Sequence, residues 1–230
     1  CSGSAFAQPD PATMDKYVFT FIWSRADRRA TTNEEGNRIQ AAHMAHIESM
    51  AKDGPLVAAG PIVSKTPRLR GIFIFHSSLE QAKELAAADP TVKEGLLEME
   101  SHPWYSYKGI GEQYKTWRAA NPDGQVKMAT YQLAVLRNGP KFGTASAPDM
   151  QKWQMEHLAN IAAAHRAGKL VLAGPMLDKS DIRGIGVLTV GADEAKALFA
   201  NDPFVVNGMM TIDWYSWMAA EGSFPPPPAK

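Results

Sequence analysis

Two histidines stand where they could move protons. His43 lies on one face of a helix-forming stretch, with Ile39, His46, Ile47 and Met50 at spacings of three and four. His157 lies on a second such face, with Trp153, Ile161 and Ala164. An imidazole titrates near neutrality, so it can accept or release a proton. Downstream of each comes an Asp-Pro step, Asp89-Pro90 and Asp202-Pro203. An Asp there, after a helix, also suits a turn. Arg70 and Arg183 each precede a glycine at a strand start. A guanidinium in that place could bind an anionic substrate or be solvated or paired. Trp104 and Trp214 could line an aromatic-binding pocket, or fill a core or interface. His43 and His46 are three apart, a spacing that can place two ligands on one metal. The second stretch has Asn160 in place of His46 and no third ligand is evident, so no metal site is expected.

These residues fall into two copies of one pattern. Leu56-Val57-Ala58-Ala59-Gly60-Pro61 matches Leu170-Val171-Leu172-Ala173-Gly174-Pro175, and Arg70-Gly71-Ile72 matches Arg183-Gly184-Ile185. Glu80-Gln81-Ala82-Lys83 lies opposite Asp193-Glu194-Ala195-Lys196. Asp89-Pro90 and Gly95 match Asp202-Pro203 and Gly208, and Trp104-Tyr105-Ser106 matches Trp214-Tyr215-Ser216. The offset drifts from 114 to 113 to 110, which two small deletions in the second copy would explain. Gly60-Pro61 and Gly174-Pro175 read as backbone devices where a strand meets a turn.

Each copy needs a frame to position its histidine. In the first, Tyr17 to Trp23 is β-branched and aromatic and predicts a strand. The His43 helix follows and stops at Asp53-Gly54-Pro55. Leu56 to Val63 and Gly71 to Phe75 predict strands around a turn over 67–70. Ser77 or Ser78 caps a helix that runs to about Ala88, and Leu96 to Tyr107 supplies the last strand. The second copy predicts strands at Ala129 to Leu136, Lys169 to Met176, Ile182 to Val190 and Met209 to Trp217, with a helix from Asp193 to Ala200. The order β-α-β-β-α-β is ferredoxin-like, with helices on one sheet face. Two such repeats can cover each other's open faces, making an intrachain dimeric α+β barrel. The expected layout is a leader at 1–15, repeat 1 at 16–108, a linker at 109–127, repeat 2 at 128–222 and a proline-rich tail at 223–230. Within the linker, Glu112 to Ala120 predicts a short helix, and Asn121-Pro122-Asp123-Gly124 a turn.

Both copies resemble the YCII-related domain of the dimeric α+β barrel superfamily. The pattern is a helix His, then Gly-x-Leu-x-x-Ala-Gly-Pro, an Arg-Gly strand and an Asp-Pro step. It stands here as His43, Gly54 to Pro61, Arg70-Gly71 and Ala88-Asp89-Pro90, and as His157, Gly168 to Pro175, Arg183-Gly184 and Asn201-Asp202-Pro203. The resemblance implies a His–Asp pair in each repeat, His43 with Asp89 and His157 with Asp202, as catalytic residues. Arg70, Arg183, His46, Trp104 and Trp214 would then be substrate-binding. It further implies acid–base chemistry without a cofactor on a small cyclic or aromatic organic acid, with a non-catalytic ligand-binding or interaction module as the alternative. Some tandem barrels of the superfamily hold haem, a third reading.

Lys+Arg and Asp+Glu both number 24, so nothing favours a nucleic-acid partner, whose phosphates need a basic face. No apolar run is long enough to span a bilayer. The single cysteine, Cys1, excludes an intrachain disulfide. Ala5-Phe6-Ala7 has the small-x-small form that ends a secretory signal, and Cys1 could alternatively carry a lipid. Both readings imply export, to the periplasm or to a lipid-anchored state. A small-molecule ligand is the expected partner, and a homo-oligomer is left open. No phosphate loop, dinucleotide fingerprint or nucleophile elbow is present.

Overall fold

Strand β1 (Met14–Ser24) is built from Met-Asp-Lys-Tyr-Val-Phe-Thr-Phe-Ile-Trp-Ser and is buried on both faces through its middle. Such a strand needs a layer on each side, and the chain supplies both. The structure, a computed structural model, describes residues 11–52, 54–63 and 68–226. After β1 come α1 (Asn33–Lys52), β2 (Leu56–Pro61), β3 (Leu69–Phe75), α2 (Leu79–Ala88), α3 (Pro90–Lys93) and β4 (Leu97–Tyr107). Then α4 (Glu112–Ala120) leads into the second repeat. That repeat comprises β5 (Met128–Asn138), α5 (Ala147–Arg166), β6 (Leu170–Pro175), β7 (Ile182–Leu188), α6 (Ala192–Phe199), α7 (Pro203–Val206) and β8 (Met210–Ala220). The sheets have the orders β2-β3-β1-β4 and β6-β7-β5-β8, with antiparallel neighbours. This is the α+β fold of two ferredoxin-like repeats.

The sheets join edge to edge into one barrel. Leu177 N donates to the Pro103 carbonyl and Val63 N to the Ser216 carbonyl, each at 2.8 Å. Bridges pair Trp104 with Met176 and Ile62 with Trp217. Across one seam the Trp104 indole donates to the Gly174 carbonyl at 3.0 Å, and across the other Trp217 donates to Gly60 at 3.1 Å. The glycines have a job the sequence pattern hides. A Cβ on Gly174 would collide with the Tyr105 carbonyl oxygen, and one on Gly60 with that of Met218. They admit the other repeat's edge strand, rather than serving a strand-to-turn junction. Phe19, Phe21, Ile72, Ile74 and Trp104 pack inside the barrel with Leu133, Val135 and Trp217.

The seams correct the sequence match at the last strand. β1 and β5 correspond residue for residue; Trp104 faces Tyr17 across the ladder and Trp217 faces Tyr131. Trp217, not Trp214, is therefore the partner of Trp104, and one offset of 113 covers everything after β2. Trp214 occupies the place of Ser101, on the opposite sheet face. A slip of three residues along a strand exchanges its faces.

The outer boundaries also move. A 3-10 turn at Pro11–Thr13 and the first residues of β1 fall inside the expected leader; residues 1–10, with Cys1 and Ala5-Phe6-Ala7, lie outside the described residues. Ser223 and Phe224 of the expected tail are buried, and the Phe224 ring lies 4.7 Å from Tyr131 and 5.3 Å from Trp217. Gly111 N donates to the Ser223 carbonyl at 2.7 Å and Tyr114 N to Gly222 at 3.0 Å. The start of the tail is thus tied to the linker and packed on the barrel. Pro67, Asp53 and residues 227–230, also assigned from sequence, are outside the described residues.

Candidate active site

Helix α1 lays Ile39, His43, Ile47 and Met50 toward the outer face of its sheet, where Val18, Ile22, Leu56, Phe73 and Phe75 form the packed layer. Asp89 ends α2 and caps α3, a four-residue helix that the sequence reading missed. Proline at the first helical position and Asp before it are both favoured there. The cap leaves one carboxylate oxygen free to face α1. His43 Nδ1 donates to Asp89 Oδ2 at 2.7 Å, while Asp89 Oδ1 accepts from Thr91 N at 2.9 Å and from the Thr91 hydroxyl at 2.6 Å. Burial alone would push the Asp89 carboxyl up; hydrogen bonds from His43 and Thr91 outweigh it and hold the group below the usual carboxylate range.

The second repeat builds the same pair. His157 Nδ1 donates to Asp202 Oδ2 at 2.6 Å, and Asp202 caps α7, accepting from Phe204 N at 3.1 Å. The His43 side chain is 12% exposed and that of His157 10%, while their carboxylates are almost sealed at 0% and 1%. With Nδ1 committed to the carboxylate, Nε2 carries the lone pair of each neutral ring. A carboxylate so placed fixes the tautomer and stabilises the imidazolium that forms on protonation.

The other expected site residues fare differently. His46 donates from Nε2 to the Leu85 carbonyl at 2.9 Å, tying α1 to α2. Arg70 is exposed. Arg183 is half-buried, donates to the Ser180 carbonyl and lies over Phe142 at 5.4 Å. Among the described residues neither Arg has a hydrogen bond or ion pair to a dyad member. Trp104 is fully buried inside the barrel, on the far side of the sheet from His43, and does not line a cleft beside that ring. Trp214 is half-buried on the helix-facing side, against Phe199 at 5.8 Å.

Two groups escaped the sequence reading. Thr91 follows the Asp-Pro step, and its hydroxyl matters only once α3 folds it back. His102 is buried at a seam, with Nδ1 on Asp178 at 2.6 Å and Nε2 on Glu100 at 3.0 Å. Burial would lower its pKa, but the two carboxylates outweigh that and raise it. Only the pairing of β4 with the β6–β7 loop brings them together, so no local pattern announces the cluster.

The family model for the YCII-related domain matches residues 18–104. The match spans the first repeat almost from end to end. The matched stretch holds the whole His43–Asp89–Thr91 arrangement, and the second repeat reproduces its topology outside that stretch. Curated proteins give no match. A mutant chlorite dismutase from Candidatus Nitrospira defluvii aligns with a TM-score of 0.58 at 10% identity, over 91% of this chain and 92% of its own. Another mutant of that enzyme, in complex with cyanide, aligns at 0.58 with 12% identity, over 92% of both chains. At such identities the likeness is one of fold: the tandem barrel is shared.

A haem beside either imidazole would need an apolar slot. The layer beneath α1 is filled by Val18, Ile22, Met50, Leu56, Phe73 and Phe75, and the His157 ring is edged by Phe204 at 5.4 Å. The packing does not fit the group on the inner side of either ring. Among the described residues no cluster of three or more His, Cys, Asp or Glu could hold a metal ion, and no helix is long and apolar enough to cross a membrane.

Proposed function

We propose that this protein is an acid–base enzyme acting, without a cofactor, on a small cyclic or aromatic organic acid. The single observation that carries this reading is the repeated dyad: a buried carboxylate on Nδ1 of His43 and of His157, at 2.7 and 2.6 Å. The Nε2 lone pair accepts a proton from the substrate, leaving imidazolium against carboxylate. The same nitrogen then returns the proton to another position of the substrate or to water. Hydrogen-bonded to His43 and Thr91, Asp89 stays ionised through this cycle. The aromatic neighbour of His43, Phe73 at 6.2 Å, suits a flat apolar substrate. Export, to the periplasm or onto a lipid anchor at Cys1, belongs to the same proposal and rests on Ala5-Phe6-Ala7 and Cys1. The mass of the mature N-terminus in fractionated cells tests it, and an unprocessed cytosolic chain would sink it.

Replacing both His43 and His157 with Ala is expected to abolish turnover, with thermal stability almost unchanged. Screening cyclic and aromatic acids by product analysis supplies the assay. A large stability loss with activity intact overturns the proposal. A non-catalytic ligand-binding or interaction module is the second reading, and the Phe204 ring packed T-shaped against His157 at 5.4 Å favours it for the second repeat. Binding without product, seen by thermal shift against the same acids, would decide for it.

A further inference from the structure

We infer that Thr91 is a positioning residue that specialises the first dyad for proton transfer, and that Phe204 removes this function from the second. The inference rests on the acid–base reading of His43.

The two dyads share every backbone device. Each aspartate follows a helix, caps a four-residue helix that begins with proline, and accepts a main-chain N–H two residues on. They part at the residue supplying that N–H. In the first repeat it is Thr91, 5% exposed, whose hydroxyl adds a 2.6 Å bond to the oxygen already capping the helix. In the second it is Phe204, 1% exposed, which gives the main-chain bond alone and sets its ring T-shaped to the imidazole, 5.4 Å away. Among the described residues Asp89 thus takes three side-chain hydrogen bonds where Asp202 takes two.

A buried carboxylate survives as an anion only where donors replace the water it has lost. Each donor also restricts the carboxylate plane, and hence the direction in which His43 is held. Thr91 therefore does two things to a ring it does not touch. It keeps Asp89 ionised to lower pH, and it fixes the oxygen that orients His43. Among the described residues the hydroxyl bonds only the Asp89 carboxylate, so its geometry serves Asp89.

The test is Thr91→Val, nearly isosteric and without the hydroxyl. NMR titration of the His43 ring reports ionisation of its neighbour Asp89 as an acid inflection. Loss of one donor to a buried anion should weaken its preference for the charged form about tenfold, moving that inflection up by about one pH unit. Thr91→Ser should return it. Phe204→Thr should give Asp202 the third hydrogen bond that Asp89 has, seen in a crystal structure of the variant. Where turnover is found, the acid limb of kcat/KM in Thr91→Val should shift in the same sense. A merely structural Thr91 would lower Tm and leave the inflection in place. Movement in Val with return in Ser upholds the assignment even if no acid is ever turned over, which would sink only the enzyme reading. An unmoved inflection overturns it, even in an active enzyme.

Discussion

Laid side by side, the two helix-facing sheet surfaces keep their volume while exchanging where the large rings sit. In the first repeat one row across the sheet reads Phe73, Thr20 and Ser101; the matching row in the second reads Gly186, Ala134 and Trp214. The aromatic residue has crossed from the third strand of the repeat to its last. On the helix side Ile39 gives way to Trp153 and Thr91 to Phe204, with the Trp153 and Phe204 rings 6.5 Å apart. His43 consequently stacks on a sheet residue, Phe73, at an interplanar angle of 22°, while His157 lies T-shaped to a helix residue, Phe204, at 66°. A duplicated unit can thus keep its polar pair while its walls are rebuilt, because cores tolerate hydrophobic exchange when total volume is preserved.

Where the copies agree, equal damage is expected. Gly60→Ala and Gly174→Ala each drive a methyl into a carbonyl of the other repeat. Each should cost at least about 3 kcal/mol, the upper end for overpacking. Chemical denaturation checks this, and a large difference between the two would break the two-fold likeness of the seams. Where the copies differ, the damage should be coupled. Gly186→Phe alone should cost about 1–3 kcal/mol by overpacking, and Trp214→Ser alone about 3–5 kcal/mol by emptying the row. Together they rebuild the first repeat's row, so their combined cost should fall below the sum by about 1 kcal/mol or more in a double-mutant cycle. Strict additivity would mean that the rows are not exchanged solutions to one packing problem.

A smaller effect separates the seams. His102 lies between Glu100 and Asp178, whereas the matching position holds Tyr215. Its folded-state pKa is raised, so its contribution is complete below the ordinary histidine range and fades as pH rises through the folded value. Glu100 is about half exposed and screened, which leaves Asp178 as the stronger partner. His102→Gln should therefore cost about 1–2 kcal/mol in mildly acidic solution and less above neutrality. Tm measured across pH for both proteins checks the sign.

The repeat and the element order are legible because they rest on local signals: β-branched runs, the Ser78 cap, and Asp-Pro steps repeated in both copies; the His–Asp pairing is legible only through the resemblance to the YCII-related domain. The short helices α3 and α7 are not legible, since four residues after a proline look like a turn until the Asp cap is seen. Identical tripeptides align Trp104 with Trp214, whereas ladder register, which only strand pairing reveals, aligns it with Trp217. The four prolines after Phe224 place it in a polyproline tail, and tertiary packing claims it nonetheless.

The tryptophan bonds across the seams set the order in which this molecule can come into being. Trp217 reaches Gly60 over 157 residues, and Trp104 reaches Gly174 over 70. Neither barrel half is closed without the other, so the chain must bring together segments far apart in sequence before either indole is satisfied. Folding dominated by such distant contacts is slow, and melting should be a single cooperative event reported by both tryptophans at once.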